Sequence, residues 1–146
     1  MNNIDDMESL STKLRRIARL YTMSLSGLLT GFDIDKYFDV LLILARQNGP
    51  VTQKQLAAGM HIDKSRIVAM LKYLQQKQYV EIEKNPRDRR EHFVKLSVKG
   101  AASIPLIREA LVKNDRIISS DINETEFNNC LSALSTIEKS LTKAVY

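Results

Sequence analysis

The residues of this chain best suited to chemistry form a short loop in which Arg87, Asp88, Arg89 and Arg90 follow one another. Guanidinium groups suit phosphates and base edges because their donors form a rigid planar fork. A loop that only had to be positive would gain nothing from an acid among its arginines. We therefore predict that Asp88 forms an ion pair with Arg90 or another loop arginine and fixes its direction, against the alternative of an ordinary solvated loop.

Two short runs flank this loop and predict how the chain holds it. YVEIEK ends at residue 84 and HFVKL begins at residue 92, and apolar and polar residues alternate in both. Such alternation is typical of strands, and the dipeptide Asn85-Pro86 between them is a turn signal. The stretch is therefore predicted to be a two-stranded hairpin with a basic tip.

Upstream of the hairpin, the sequence predicts two helices joined by a short turn. The first runs from Thr52 to Ala58 and the second from Asp63 to Gln78, with Thr52 and Asp63 as N-caps. The face that the second helix is expected to bury consists of Ile67, Met70, Leu71 and Leu74. This is the helix-turn-helix arrangement, whose second helix lies in the major groove of DNA.

The opposite face of the second helix is predicted to contact DNA, against the alternative of an ordinary solvated face. Its cations and hydroxyls would bind phosphates and base edges, and Ala69 would allow close approach or touch a thymine methyl. A helix-turn-helix followed by a basic ribbon is a winged helix, and wing arginines suit the narrow minor groove. The predicted DNA-binding residues are Thr52, Gln53, Lys54, Lys64, Ser65, Arg66, Ala69, Lys72, Tyr73, Arg87, Asp88, Arg89 and Arg90.

Further helices are predicted on both sides of this basic centre. An amphipathic helix spans Met7–Leu29, a largely buried one spans Ile34–Gln47, and a long one spans Ser97–Ile118 with a kink or break at Pro105. The last helix begins at Asn123, which opens a capping box. The long outer helices have little of their own to pack against, so an interleaved homodimer is predicted.

The predicted fold class is mostly α with a small β-hairpin wing: a winged helix-turn-helix flanked by N- and C-terminal dimerisation helices. The length of 146 residues suits one domain. Within it we expect residues 1–33 to form the N-terminal dimerisation helix and residues 34–99 to form the DNA-binding lobe. Residues 100–146 would form the C-terminal dimerisation helices.

Charge and composition fit a nucleic-acid partner. Between Thr52 and Lys99 there are eleven Lys and Arg against five Asp and Glu, whereas the rest of the chain has eleven against twelve. One cysteine, two histidines and five glycines assemble no catalytic set, phosphate loop or metal cluster, so we expect no enzyme, cofactor or metal site. The acidic, polar N-terminus and the short apolar runs predict a cytoplasmic protein without a membrane segment.

Three residues with reactive side chains receive a structural interpretation. Cys130 falls on the apolar side of the last helix and is interpreted as a structural thiol, with a redox sensor as the alternative. His61 and His92 have no second ligand nearby in the sequence. They are interpreted as a turn residue and a strand residue instead of metal ligands.

The run from Leu56 to Gly100 resembles the MarR family of bacterial transcription regulators, and the helix order on both sides agrees. The most specific part is the wing pattern Asp88, Arg90, Leu96, Ser97 and Gly100. The resemblance implies a homodimeric winged-helix protein, most often a repressor, that binds pseudo-palindromic DNA and in many members releases it when a small, often phenolic molecule binds. It also implies that Arg90 enters the minor groove while Asp88 helps to hold the wing arginines.

The chain departs from the family pattern in the second helix. Val68-Ala69 stands where the family often has a Thr-Arg pair, and Arg66 stands where a small hydroxyl residue is usual. We therefore expect its DNA site to differ from the family average. A cysteine near the N-terminus, which the peroxide-sensing members use, is absent from the sequence.

In the family, effectors bind in a cleft between the dimerisation helices and the DNA-binding lobe. The residues near that junction, four aromatics and an arginine that could pair with an anion, are Tyr21, Phe32, Tyr37, Phe38 and Arg46, with plain core as the alternative. The predicted partners are double-stranded DNA, a second copy of the chain and a small aromatic or anionic effector. The rival hypothesis is a winged-helix module that contacts protein and carries its basic face incidentally.

Overall fold

The structure, a computed structural model, describes residues 9–146, so Met7 at the predicted start of the first helix lies outside the described residues. The described chain has six helices and one three-stranded antiparallel sheet. The elements in chain order are α1 (Leu10–Leu28), α2 (Phe38–Ala45), β1 (Val51–Thr52), α3 (Gln53–Gly59), α4 (Lys64–Gln76), β2 (Val80–Lys84), β3 (His92–Leu96), α5 (Val98–Ser119) and α6 (Glu124–Val145). The chain divides into two compact units, and the boundary along the sequence falls between Ala110 and Leu111, inside α5.

Helices α3, α4 and α6 begin at the caps that the sequence predicts. The Thr52 hydroxyl accepts the backbone N–H of Gln55 at 3.1 Å, and the Gln55 side chain accepts the N–H of Thr52 at 2.9 Å. Asn123 and Glu126 form the same reciprocal box at the start of α6. Asp63 caps α4. Each box satisfies two N–H groups that the first turn of a helix leaves free.

Helix α2 is shorter than the predicted span of residues 34–47. It begins at Phe38 because Tyr37 has a left-handed backbone, with φ of 67°, which an α-helix cannot contain. Residues 29–37, between α1 and α2, form a connection whose side chains reach α4 and the start of β2. The helix is buried on most sides as predicted, and the residues responsible are Phe38, Val40, Leu41 and Leu44.

The predicted hairpin is confirmed, and a third strand joins it. Strands β2 and β3 are antiparallel, with Val80 opposite Leu96 and Lys84 opposite His92. Strand β1 pairs with the other edge of β3, with Val51 opposite Val94, so β3 is the central strand. The sequence analysis missed β1 because two residues are too few to show alternation.

Helix α5 continues through Pro105, and the predicted break is confined to its backbone hydrogen-bond ladder. Proline has no N–H to donate to the carbonyl of Ala101. Both residues are exposed, which lets water satisfy that carbonyl. The predicted cap is confirmed, because the Ser97 hydroxyl accepts the N–H of Gly100 at 2.9 Å.

The core lies in the unit that ends at Ala110. Helix α4 buries the face predicted for it, and the connection before α2 contributes Ile34. The buried core residues on the strands and on α5 are Val80, Val94, Ile104, Ile107 and Ala110. In the other unit, α6 buries no residue at all. None of the helices in residues 9–146 combines the length and the apolar composition needed to cross a bilayer.

Candidate nucleic-acid interface

The outer face of α4 has the orientation predicted from the sequence. Ile67, Leu71 and Leu74 are fully buried, which fixes the opposite face toward solvent. The predicted DNA-binding residues exposed on that face are Lys64, Ser65, Arg66, Ala69 and Lys72, and Val68, 39% exposed, lies among them. Cations therefore surround one small side chain, an arrangement that can follow a phosphate backbone while the helix approaches base edges.

At the start of α4, Asp63 organises the first turn. Its carboxylate accepts the backbone N–H of Arg66 at 2.8 Å and the hydroxyl of Ser65 at 2.5 Å. The bond from Ser65, followed by that from the Arg66 backbone, lowers the pKa of Asp63. The hydroxyl proton of Ser65 is thus engaged within the protein. In this arrangement Ser65 can accept a hydrogen bond from a base edge, but it cannot donate one to a phosphate.

At the start of α3 the three predicted residues differ in exposure. Thr52 and Gln53 are each 9% exposed, and the Thr52 hydroxyl serves as the helix cap. Lys54 is exposed. Of the three, Lys54 therefore offers its charged group freely to a ligand.

Tyr73, also predicted to contact DNA, is half-buried and engaged with the connection before α2. Its hydroxyl donates to Asp35 at 3.1 Å, and its ring meets Tyr37 edge to face at 5.5 Å. The ammonium of Lys36 lies 5.0 Å from the centre of the Tyr73 ring. Burial, and then the bond to Asp35, raise the pKa of Tyr73.

The tip of the hairpin is held by hydrogen bonds between its own residues. The Asn85 N–H donates to the Glu91 carbonyl at 2.9 Å, and the Asn85 amide donates to the Glu91 carboxylate at 3.1 Å. The Asn85 side chain also accepts the N–H of Arg87 at 2.9 Å. These bonds close the loop at its base and order the residues that carry the arginines.

Asp88 holds the loop in a way the sequence analysis did not predict. Its carboxylate accepts the backbone N–H of Arg90 at 3.0 Å, and its carbonyl accepts the N–H of Glu91 at 3.0 Å. No ion pair joins it to an arginine within the described residues, so the predicted ion pair is wrong. A short acidic side chain reaches a backbone N–H two residues ahead without ordering a long arginine side chain, and this local bond is typical of aspartate in turns.

The positive charge of the hairpin is concentrated at its tip. On the stem, Lys95 lies 3.3 Å from Glu81 and 3.2 Å from Glu83. Hydrogen bonds to Glu83 and then Glu81 raise the pKa of Lys95, so the lysine stays charged and its charge is balanced. The three exposed arginines of the tip are Arg87, Arg89 and Arg90.

Gly100, in the wing pattern, has a packing role. A Cβ at this position would collide with the backbone carbonyl oxygen of Tyr79 and come within 3.2 Å of the Leu96 side chain. The same carbonyl accepts the N–H of Ser97 at 3.0 Å. Close approach of α5 to the start of β2 therefore requires glycine here, and the pattern Leu96, Ser97, Gly100 sets the base of the wing.

A group of side chains that the sequence analysis missed joins this base to the connection before α2. The Tyr79 hydroxyl donates to Asp33 at 2.8 Å, and the ammonium of Lys99 lies 3.1 Å from the same carboxylate. Lys99 also lies 4.4 Å from the centre of the Tyr79 ring and donates to the Lys77 carbonyl at 2.8 Å. These residues are far apart in the sequence, so no local pattern signals them.

Comparison with known proteins agrees with this geometry. Residues 33–91 match the model of the MarR family. The fold is similar to that of the crystal structure of MarR, with a TM-score of 0.81, 22% identity and coverage of 97% of both chains. The chain has the winged helix-turn-helix fold, and part of it, residues 33–91, is similar to the MarR family.

Other proteins similar to this chain were solved with DNA or are named as regulators. The transcriptional repressor CouR, solved on a 23-mer DNA duplex, has a TM-score of 0.79 at 23% identity, over 94% of this chain and 98% of that one. The S. aureus MepR–DNA complex has a TM-score of 0.78 at 19% identity, over 92% and 99%. A protein of Thauera aromatica named as a transcriptional regulatory protein for the hcr operon is 25% identical over 97 residues. That match covers 66% of this chain but 58% of the relative.

The residues predicted to line an effector pocket lie in different surroundings. Phe38 is 4% exposed, and Phe32 meets it edge to face at 6.2 Å and stacks on Tyr79 at 6.3 Å. Tyr37 packs against Tyr73 on α4, Tyr21 is half-buried and Arg46 is exposed. The alternative of plain core suits Phe38 best.

An open cleft of about 720 Å³ lies between α1 and the connection before α2. Its lining residues are Arg15, Ala18, Arg19, Thr22, Met23, Ser26, Asp35 and Lys36, none of which the sequence analysis singled out as a pocket residue. Three of these are cations and one is an acid. The cleft therefore suits a small anion with an apolar part, since Ala18 and Met23 supply apolar surface.

The other residues with reactive side chains in the described part of the chain are His61, His92 and Cys130. Within residues 9–146, no three His, Cys, Asp or Glu side chains are grouped so as to hold a metal ion. His61 is a turn residue with φ of 53° and His92 begins β3, as predicted. Cys130 is exposed on α6.

Proposed function

We propose that this chain is a member of the MarR family and a sequence-specific regulator of transcription that binds double-stranded DNA. The observation that carries the proposal is the arrangement of two cationic elements in one compact unit: the outer face of α4 and the closed, arginine-bearing wing tip. Helix α4 would lie in the major groove and the wing arginines along the neighbouring minor groove. The DNA complexes of CouR and MepR, which share this fold, support it.

The contacts proposed for each residue follow from its exposure. Lys54, Lys64 and Lys72 would neutralise phosphates, while Arg66 and Ala69 would face base edges. At the wing tip, Arg90 would enter the minor groove, with Arg87 and Arg89 on the flanking phosphates. Asp88 would act by holding the tip, not by touching DNA.

We also propose that the active form is a homodimer. On α1, Ile17 and Leu20 are 50% and 57% exposed, and on α6, Leu131 and Leu141 are 48% and 59% exposed. Exposed apolar faces of this length are unusual on a monomer and would be covered by a second copy. Two copies related by a two-fold axis would bind a pseudo-palindrome.

We further propose repression that a small organic anion relieves, in a bacterial cytoplasm. The cleft beside α1 supports this, because Arg15, Arg19 and Lys36 would pair with an anion there. Lys36 also lies over the ring of Tyr73 on α4, so a ligand in the cleft has a short route to the DNA-binding helix. To shift the ratio of the DNA-releasing to the DNA-binding form from 1:99 to 99:1, the ligand must bind the releasing form more tightly by about 5.5 kcal/mol.

The experiment that tests the proposed function is selection of bound duplexes from a random pool with the purified chain. We expect an enriched palindrome whose half-sites lie about one helical turn apart. Absence of any enriched sequence would contradict the proposal and favour a module that contacts protein.

Salt titration on the selected duplex then tests the wing. Arg90→Ala should lower the slope of log affinity against log salt by about one, because it removes one charge near phosphate. Arg108→Ala, an exposed arginine on α5, is the matched control and should leave the slope unchanged. An unchanged slope in the Arg90 variant would exclude the minor-groove role.

A further inference from the structure

Tyr73 is the residue of α4 whose contacts best explain how that helix is oriented. Its hydroxyl donates to Asp35 at 3.1 Å, and its ring meets Tyr37 edge to face at 5.5 Å. The Lys36 ammonium is 5.0 Å from the Tyr73 ring centre and 5.3 Å from the Tyr37 ring centre. Three consecutive residues of one connection thus surround a single side chain. We call these four residues, 35–37 and 73, the Tyr73 clamp.

The connection that makes this clamp is itself fixed. Ser26 on α1 donates its hydroxyl to the Asp35 carbonyl at 2.7 Å, Ile34 is 5% exposed, and Asp33 is bound by Tyr79. Tyr37 keeps a left-handed backbone, with φ of 67°, which is strained for a residue with a Cβ. Such a conformation persists only where surrounding contacts determine it. The connection is therefore a firm support against which α4 can be held.

The clamp acts at the DNA-facing edge of α4. Residues 66, 69 and 73 follow one another at spacings of three and four, so Arg66, Ala69 and Tyr73 share one face of the helix. The apolar packing of the buried face turns these residues away from the core, but such packing is not directional and does not fix the exact rotation of the helix. A hydrogen bond and an edge-to-face ring contact are directional. They can fix the rotation of the helix about its own axis, which decides where Arg66 and Ala69 point.

We propose that Tyr73 is a positioning residue for DNA recognition: held by Asp35, Lys36 and Tyr37, it sets the rotation of α4 and does not itself read a base. This inference rests on the proposed function and deepens it. Tyr73, predicted from the sequence to contact DNA, would instead support the helix. Asp35 would lie near a DNA-binding face because it accepts the Tyr73 hydroxyl.

Asp35 provides the decisive test, because the clamp and simple electrostatics predict opposite results. Removing a carboxylate near bound phosphates should by itself raise the affinity for any DNA. If the clamp orients α4, Asp35→Ala should instead lower the affinity for the selected duplex about three- to tenfold, the loss expected for one hydrogen bond. Its affinity for an unrelated duplex should stay equal or rise.

The full-length chain and its selected duplex are used throughout, with melting temperatures measured for every variant. The specificity ratio is the affinity for the selected duplex divided by that for an unrelated duplex. Tyr73→Phe keeps the ring and removes the hydroxyl, so it should lower this ratio as Asp35→Ala does. Asp35→Asn keeps an oxygen that can accept the Tyr73 hydroxyl and should restore most of that ratio. Lys72→Ala is the matched control, since an exposed phosphate contact on the same helix should weaken binding to both duplexes alike.

The outcomes separate the clamp from the proposed function. If the wild-type chain enriches a sequence but Asp35→Ala and Tyr73→Phe bind it with an unchanged specificity ratio, the clamp is overturned and the proposed function stands. If Tyr73→Phe lowers the ratio while Asp35→Ala does not, Tyr73 contacts DNA directly and the clamp is again overturned. If no sequence is enriched, the proposed function fails, and the role of the clamp in recognition fails with it.

Discussion

The hydroxyl of Tyr79 donates a 2.8 Å hydrogen bond to the carboxylate of Asp33, 46 residues earlier in the chain. Lys99 completes the group, 3.1 Å from Asp33 and 4.4 Å from the centre of the Tyr79 ring. The bond from Tyr79, and then the one from Lys99, lower the pKa of Asp33, while burial and the bond to Asp33 raise the pKa of Tyr79 to about 12. Both shifts favour a charged carboxylate beside a neutral phenol, which joins the base of the wing to the connection before α2.

The first prediction concerns acid. Because the pKa of Asp33 is lower in the folded chain, its contribution to stability is present above about pH 4 and is lost as the pH falls through the folded pKa. The Asp33 side chain is 52% exposed, so we expect Asp33→Asn to cost only about 0.5 kcal/mol at pH 7. Urea unfolding of both proteins at several pH values should show this difference shrinking toward zero in acid. A difference that grows in acid would contradict it.

The second prediction concerns alkali and has the opposite sign. A raised pKa means that the folded chain favours neutral Tyr79, so its contribution is full below about pH 10 and is lost as the pH rises through about 12. A tyrosinate absorbance titration should contain a step near pH 12, apart from that of Tyr73, whose pKa is also raised, and Tyr79→Phe should remove the step near pH 12. Tyr146→Phe, at the exposed C-terminal residue, is the control and should leave that step in place.

The third prediction concerns the contact between α5 and the wing base. Gly100→Ala should destabilise the chain by about 1–3 kcal/mol, because the added methyl meets a backbone carbonyl that cannot rotate away. Gly59→Ala is the control: nothing lies within 4 Å of the added atom, and helix α3 should gain or lose less than about 1 kcal/mol. Urea denaturation measures both. Equal stability of the two variants would show that α5 can shift to accept the methyl.

These contacts indicate which parts of the fold the sequence could predict. Local rules found the caps Thr52, Asp63 and Asn123, because capping is settled within four residues. Alternation found β2 and β3, since five residues show a period of two. The same rules extended α2 too far, because the left-handed backbone of Tyr37 depends on contacts made elsewhere.

Some features of the candidate site could likewise be predicted from the sequence and others could not. The exposed face of α4 follows from helical periodicity alone, so its cations could be predicted. The partners of Tyr73 and Tyr79 could not, because Asp35 and Asp33 lie 38 and 46 residues away and nothing local marks them as neighbours. The ion pair predicted for Asp88 is wrong for a related reason. The charge pattern predicts that Asp88 attracts an arginine side chain, but its carboxylate accepts the nearer backbone N–H of Arg90 instead.

The fourth prediction tests the proposed homodimer. Leu20→Glu on α1 or Leu141→Glu on α6 should weaken self-association about a hundredfold or more, because two-fold symmetry introduces each buried charge twice. Val98→Glu is the control: this residue is 88% exposed at the start of α5, where an acid suits the helix N-terminus. Sedimentation equilibrium measures the dissociation constants. A monomeric wild-type chain, or equal constants for all three variants, would contradict the proposal.

The last prediction separates two ways in which Asp88 could support the wing. If its role is to accept the Arg90 N–H, then Asp88→Asn keeps a suitable oxygen and should bind the selected duplex about as well as the wild type. Asp88→Ala removes the acceptor, frees the tip and should weaken binding several-fold, with a loss of stability of about 0.5–1 kcal/mol because the bond is exposed.

An ion pair with an arginine would give a different pattern, since both substitutions would then remove the charge and weaken binding alike. Simple repulsion of phosphates by Asp88 would give a third, in which both variants bind more tightly. The binding loss of Arg90→Ala is the reference for these losses, because this variant removes the side chain that the turn is proposed to direct. Titration of the duplex with the three variants at one salt concentration, together with their melting curves, distinguishes these patterns, and equal binding by Asp88→Ala and wild type would exclude a directing role for the turn.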